Sequence, residues 1–466
     1  MIDLDTIDIN YKLIDNTERE SIKKYQIIPL KEHDIYLQIG SPNLNLDLSE
    51  IEKEFKKPIK LVKIDQKAYD FEILHLDNKI KLYTLAQKVL LQKDENFLNE
   101  SYIGQFLDLV LEIAIDLKSS DIHIESLKNA IIFRVRVDGV LVQFFRFSIE
   151  LYPIISSTIK LFSKLDIAQK RTPQNGRFSK NIKDEDYDFR VSILPIISGE
   201  SIVIRVLDNK KALLNLDEVG FCKDLYDAIV KNINYTQGMI LITGATGSGK
   251  TTTMYSILNK LDKKKKKIIT IEDPIEYNID GIMQVPINEE IGLSYEVVLK
   301  NILRQDPDVI MIGEIRDIHS LKIAIQAALT GHLVIATLHT NNAIKTINRL
   351  LDLEAKPYLI ASVLRLIISQ KLVRVLCGTC KEKITYDQKE IYLPKGCKKC
   401  NFTGYDGRTI VTEHFEFDDT ISKMILQSSD ITEIVAYAKY TKINENLYSK
   451  VLDGTTSLEE YALHEI

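Results

Sequence analysis

Residues 238–252 read Gly238-Met239-Ile240-Leu241-Ile242-Thr243-Gly244-Ala245-Thr246-Gly247-Ser248-Gly249-Lys250-Thr251-Thr252. The apolar run 239–242 has the content of a buried strand, and it ends in a glycine-rich turn. Past the turn, Met254, Ile257, Leu258 and Leu261 recur at the i, i+3, i+4, i+7 spacing of a helix face. Residues 244–251 fit G-x-x-x-x-G-K-[ST] in the strand–turn–helix setting this motif needs. Glycines let backbone N–H groups curl around phosphate, which also lies at the positive end of the following helix. Residues Gly244, Ala245, Thr246, Gly247, Ser248, Gly249, Lys250, Thr251 and Thr252 are therefore the expected nucleotide-binding loop. Lys250 would reach the β- and γ-phosphates, and Thr251 would hold Mg²⁺. This stretch predicts binding of a nucleoside triphosphate.

Downstream, the short apolar runs 267–271, 309–312 and 333–336 alternate with helical patterns, the signature of a parallel α/β sheet. The helix expected over 318–330 places Leu321, Ala324, Ile325 and Ala328 on one face, with Gly331 as its stop. The lysine run 263–267 reads as a solvated loop. Upstream, residues 1 to about 85 read as a small α/β module. Ile35, Leu37 and Ile39 alternate as a half-buried strand, and Ser49 is expected to cap a helix over 50–57 that Pro58 ends. The polar stretch 92–99 reads as a linker. A second module opens with a helix faced by Phe106, Val110 and Ile113, then a strand in which Phe133, Val135 and Val137 alternate with Arg134, Arg136 and Asp138. Asp138-Gly139 signals a tight hairpin. A second strand pair spans 188–194 and 201–207. It carries Arg190 and Arg205, which by spacing alone suit a solvated sheet face.

The chain has 466 residues, room for roughly three domains at about 150 residues each. A net charge of −5 gives no basic excess to announce nucleic acid. The N-terminus lacks the basic region of a signal peptide, and no run approaches the ~18 apolar residues of a membrane span. A cytoplasmic protein is expected, with membrane contact only through partners. Of five cysteines, Cys377, Cys380, Cys397 and Cys400 form C-x₂-C-x₁₆-C-x₂-C. That spacing suits a closed, tetrahedral, structural Zn²⁺ site, and disulfides are the weaker reading in a reducing cytosol. Cys222 reads as an ordinary thiol.

Further motifs then decide which class of nucleotide protein this is. The segment Thr270-Ile271-Glu272-Asp273-Pro274-Ile275-Glu276-Tyr277 resembles the Asp box of the secretion ATPase family. Residues 303–317, which contain Asp306-Pro307-Asp308 and Gly313-Glu314, resemble its Walker B segment. Residues 331–340, Gly331-His332 through His339-Thr340, resemble its His box. With the cysteine quartet, these elements are similar to the GspE/PilB class of type II secretion and type IV pilus assembly ATPases. The similarity runs from Ser119-Ser120-Asp121-Ile122-His123 to the C-terminus, and more weakly into Ile28-Pro29-Leu30.

The resemblance implies an α/β multidomain P-loop NTPase with a RecA-like core, a PAS-like N-terminal domain and a small zinc-binding insertion. It divides the chain into a docking domain (1–90), linker (91–99), PAS-like domain (100–209), RecA-like core (210–376), tetracysteine insertion (377–406) and the C-terminal part of the ATPase domain (407–466). ATP, Mg²⁺ and Zn²⁺ are the implied cofactors. The implied assembly is a homo-hexamer at the inner-membrane face, working on a platform protein, with no nucleic acid expected. By the same resemblance Glu276 is the water-orienting base, Glu314 joins Thr251 in holding Mg²⁺, and His339 senses the γ-phosphate. Arg190 and Arg205 would be cationic fingers folding over the nucleotide, with Glu272, Asp273, His332, Lys300 and Arg304 in support. Two departures stand out: Gly313 occupies the usual Walker B aspartate position, as it does across the family, and Lys300 stands where the family has arginine, without its bidentate fork. The same motor serves pilus assembly, protein secretion or DNA uptake. A retraction ATPase is the alternative within the family, though such motors usually lack the docking domain and the quartet. A nucleic-acid translocase is the alternative from another class, disfavoured by the acidic balance.

Overall fold

The computed structural model describes residues 3–7, 9–15, 17, 19–91, 101–207, 214–340, 342–427, 431–438 and 441–464. The expected linker 91–99 lies, from 92 onward, outside the described residues, as does the boundary at 209–210. Two compact units emerge, 1–208 with 395–404 and 209–394 with 405–466.

In the first unit, strands Ile28–Glu32, Leu37–Ser41 and Ile59–Lys63 form a three-stranded sheet. The strand starts at Leu37, and Ile35 is 78 % exposed in the preceding turn, so the alternation expected from Ile35 overreached by two residues. The next helix is Leu48–Phe55, two residues earlier at each end than expected. Its cap is Asp47, whose carboxylate accepts the Ser49 N–H at 3.0 Å, rather than Ser49 itself. A six-stranded antiparallel sheet follows in the order Val140–Ser148, Ala130–Val137, Asp121–Ser126, Gly199–Leu207, Glu185–Ile196, Gln174–Ile182. Asp138 (φ +48°) and Gly139 (φ +90°) make the two-residue hairpin that the dipeptide signalled. Ile122, Phe133, Val135, Phe189, Val191 and Ile204 point into the core, where Phe133 meets Phe106 of the helix Tyr102–Asp116 at 5.6 Å. Alternation then puts the arginines on the opposite face.

The second unit is built on a seven-stranded sheet: Met283–Pro286, Ile268–Glu272, Val309–Ile312, Leu333–Leu338, Gly238–Thr243, Leu364–Leu376, Tyr405–Glu416. Neighbours are parallel except the last pair, so the expected parallel sheet carries one antiparallel edge strand. The apolar runs are continuous because both faces are covered. Ile240, Ile242, Met311 and Ile335 pack against the helices Lys223–Asn232 and Lys250–Lys260. Their neighbours Met239, Leu241, Ile310 and Val334 pack against the helices Tyr295–Ile302 and Ile318–Leu329. Parallel strands also bring their C-terminal ends to one edge, so the residues after Thr243, Glu272, Ile312 and Leu338 gather there.

Glu413, on the antiparallel edge strand, caps two helices at once. Its carboxylate accepts the N–H of Ala343 at 2.6 Å and of Ile443 at 2.8 Å, the first residues of helices Ala343–Asp352 and Ile443–Leu452. Glu413→Gln leaves one of these buried donors without an acceptor and is expected to cost about 1–3 kcal/mol. The check is the urea midpoint of unfolding; an unchanged midpoint would show that solvent replaces the cap.

Candidate functional site

The nucleotide loop starts where the strand Gly238–Thr243 ends and runs into the helix Lys250–Lys260. Gly244 has φ +150°, and a Cβ there would lie 2.4 Å from the Gln370 carbonyl, so only glycine fits. The Gln370 side chain, buried in the strand Leu364–Leu376, donates to Ser248 O at 2.8 Å and accepts from Thr253 Oγ1 at 2.9 Å. Lys250 Nζ donates to Gly244 O (2.8 Å) and Ala245 O (2.9 Å) across the loop. Burial pushes its pKa down to about 8. Ser248 Oγ and Thr243 Oγ1 are buried without partners in this cradle, an arrangement that suits an incoming phosphate. Thr251 is half-buried in the first helical turn.

Opposing groups come from the neighbouring strand ends. His339, just past Leu333–Leu338, places Nε2 3.1 Å from Glu314 Oε2. Burial first, then Lys250 and Arg316, hold the His339 imidazole below its ordinary pKa. Arg316 pairs through Nε with Glu314, donates from Nη2 to Asp273 Oδ2 at 3.2 Å, and lies over the Tyr295 ring. Lys250, Glu314, His339 and Asp273 are thus brought into one electrostatic neighbourhood. Glu276 stands half-buried on the loop that follows Glu272. Gly313 sits in a tight place: a Cβ there would come 3.1 Å from the backbone oxygen of Ile271, so any larger residue crowds the neighbouring strand.

Other expected residues lie elsewhere. Glu272 is buried and committed, accepting from Thr270 Oγ1 at 2.6 Å and from Gln284 Nε2 at 3.1 Å. His332 hydrogen-bonds the Ala327 carbonyl through Nδ1 at 2.9 Å, finishing the helix Ile318–Leu329. Lys300 pairs with Glu296 one turn back on its own helix, and Arg304 is exposed after that helix ends. In the first unit, the strand register lines up Arg136, Asp121, Arg205, Arg190 and Arg177 in one row across the sheet. Arg205 Nε reaches Asp121 Oδ1 at 3.1 Å. Sequence reasoning gave no role to Arg316, Gln370, Tyr255 or Gln284. Gln370 left a signal, an amide two residues past the apolar run 366–368; the others left none beyond their place beside recognised motifs. The four cysteine Sγ atoms lie within 4.8 Å of one another, a group compatible with zinc.

A glycine cradle at the C-terminal edge of a parallel sheet, with an acid and a histidine from the adjacent strand ends, defines a P-loop ATPase. The family model described as "Type II/IV secretion system protein" matches residues 96–463, and the chain belongs to that family. The type II secretion system protein E of Pseudomonas aeruginosa is 38% identical over 405 residues, covering 83% of this chain and 80% of that protein. The type IV pilus assembly ATPase PilB of Acinetobacter baylyi is 35% identical over 499 residues, covering 99% and 86%. Among solved structures, the pilus retraction motor PilT with bound ADP aligns at TM-score 0.54 and 25% identity over 77% of this chain and 96% of that one. The Legionella pneumophila ATPase DotB aligns at 0.59 and 24% identity over 80% and 97%, a likeness of fold.

The Lys250 geometry sets a pH dependence. Bound phosphates favour the charged ammonium, whereas burial in the loop lowers its pKa to about 8. Above pH 8 binding must therefore take up a proton, and ATP affinity is expected to fall with rising pH by up to about tenfold per unit. Calorimetry at pH 9 in two buffers of different ionisation enthalpy reads the uptake directly. Equal heats in both buffers, with affinity flat from pH 8 to 9.5, would contradict it.

Proposed function

We propose that this chain is the motor ATPase of a type IV pilus assembly or type II secretion machine. The observation that carries this is the convergence of the Lys250 loop, Glu314, Arg316 and His339 on one sheet edge in a chain of this family. The reading takes the seven-stranded sheet as a RecA-like core and the six-stranded unit as PAS-like, within the domain limits expected from the sequence. It takes the working form as a homo-hexamer at the cytoplasmic face of the inner membrane, acting on a platform protein. No helix among the described residues is long and apolar enough to cross a membrane, which is consistent with that placement. The similarity to PilB over 99% of the chain, residues before the matched domain included, favours assembly over retraction.

In this proposal Glu276 orients the attacking water, and His339, kept neutral, reads the γ-phosphate. Thr251 and Glu314 would hold Mg²⁺, which neutralises phosphate charge when bound. Arg190 and Arg205 supply the cationic fingers. Their row supports this: Arg205, Arg190 and Arg177 stand directly across from one another, and such a concentration of like charge attracts an anion. Arg190→Ala and Arg205→Ala are expected to lower kcat by about 10 to 10² while leaving ATP affinity near wild type, with lysine at either site rescuing only partly. Steady-state hydrolysis with parallel nucleotide titration measures this, repeated with platform-protein vesicles and with DNA. Wild-type turnover in both alanine variants would remove the fingers from the mechanism. Stimulation by DNA alone would move the chain to the translocase class.

The cysteine quartet is proposed to hold structural Zn²⁺. Tetrahedral Zn–S bonds of about 2.3 Å require sulfurs about 3.8 Å apart. Cys397 Sγ and Cys400 Sγ are 3.8 Å apart, and the N–H groups of Cys397 and Gly404 point at Cys400 Sγ from 3.2 and 3.3 Å. Elemental analysis is expected to find one zinc per chain, and Cys397→Ser to lower its content and the soluble yield. A metal-free protein of normal stability would leave the quartet without this role.

A further inference from the structure

The loop bearing Glu276 is pinned from the nucleotide-loop helix itself. Tyr255, five residues past Lys250, is 1 % exposed, and its hydroxyl donates to Glu272 Oε2. The other Glu272 oxygen accepts from Gln284 Nε2 at 3.1 Å. Gln284 Nε2 also donates to Tyr277 O at 2.9 Å, and its Oε1 accepts the Ile279 N–H at 2.8 Å. The Tyr277 ring stands edge-on to that of Tyr255, with centroids 6.2 Å apart. The relay therefore begins on the helix that presents the nucleotide loop and ends on Tyr277 and Ile279, one and three residues beyond Glu276. The backbone amides of Glu276 and Tyr277 also face the Tyr255 hydroxyl oxygen, which burial and the neighbouring Glu272 keep protonated.

We propose that Tyr255 and Gln284 are positioning residues, which through Glu272 fix the Glu276 carboxylate relative to the phosphates held by the P-loop. This rests on Glu276 being the water-orienting group. Every member of the relay is buried or half-buried, so water cannot readily replace a lost bond, and the loop shifts instead. Nothing in the relay touches the Lys250 cradle, so ground-state binding does not depend on it. Turnover does, because a misplacement of about 1 Å between water and phosphorus costs on the order of 10² in rate.

Tyr255→Phe removes one oxygen and keeps the ring packing, and Gln284→Met keeps length while removing the amide. Both are expected to lower kcat by about 10 to 10², with the Kd for ATP within about twofold of wild type and a melting temperature lowered by only a few degrees, so that the protein stays folded in the assay. Glu276→Gln makes the decisive background, since Tyr255→Phe there is expected to change the residual rate by less than about twofold. Wild-type kcat in Tyr255→Phe and Gln284→Met, beside an impaired Glu276→Gln, overturns the relay alone. The same fractional loss in both backgrounds also overturns it, because Tyr255 would then act by another route. Wild-type kcat in Glu276→Gln overturns the role of Glu276, and the relay with it.

Discussion

The site depends on how one buried amide closes the gap between loop and sheet. Gln370 ties Ser248 and Thr253 through its side chain, while its own carbonyl backs against Gly244 so closely that no Cβ can enter. The nucleotide loop is thereby fastened to the strand Leu364–Leu376, the sixth of the seven strands. An unpaired amide at that depth would cost more than the typical hydrogen bond gains, so the three contacts stand or fall together. The same strand pairs along its length with Tyr405–Glu416, which carries Glu413 and so the starts of two helices. Loop shape, sheet edge and helix placement are consequences of one packing arrangement.

Much of this was legible in the sequence because it rests on local or periodic signals. The glycine pattern at 244–249, the apolar runs ending at Ile312 and Ala336, and the Asp138-Gly139 turn each carry their own steric requirement. What escaped was decided by distant partners. Asp47 rather than Ser49 caps its helix, a choice between two capping residues two positions apart that composition does not settle. The antiparallel direction of the last strand depends on the path of the chain between 376 and 405. Gln284 reads as an ordinary polar residue until the fold brings it to Glu272 and Tyr277.

Charges in and around the site divide by what covers them. Glu272 is buried and saturated by Tyr255, Thr270 and Gln284, so it serves structure. Glu314, 22 % exposed, is held by a guanidinium and an imidazole that can trade partners. Sequence proximity to a motif did not distinguish the two acids; burial does. His332 and Lys300 show the same thing, the first having found a partner on the helix before it and the second on its own helix.

The bonds from Lys250 to the Gly244 and Ala245 carbonyls tie the ammonium across the mouth of the loop. With the loop already curled around a cation, nucleotide entry is an exchange of acceptors, and little chain entropy remains to be lost. A cradle preformed in this way receives the phosphates common to a diphosphate and a triphosphate alike. It therefore gives the protein no means of telling spent fuel from fresh. Under the proposed roles that discrimination falls to the groups facing it, Glu314 and His339 with Arg316, which hold one another across the edge of the sheet.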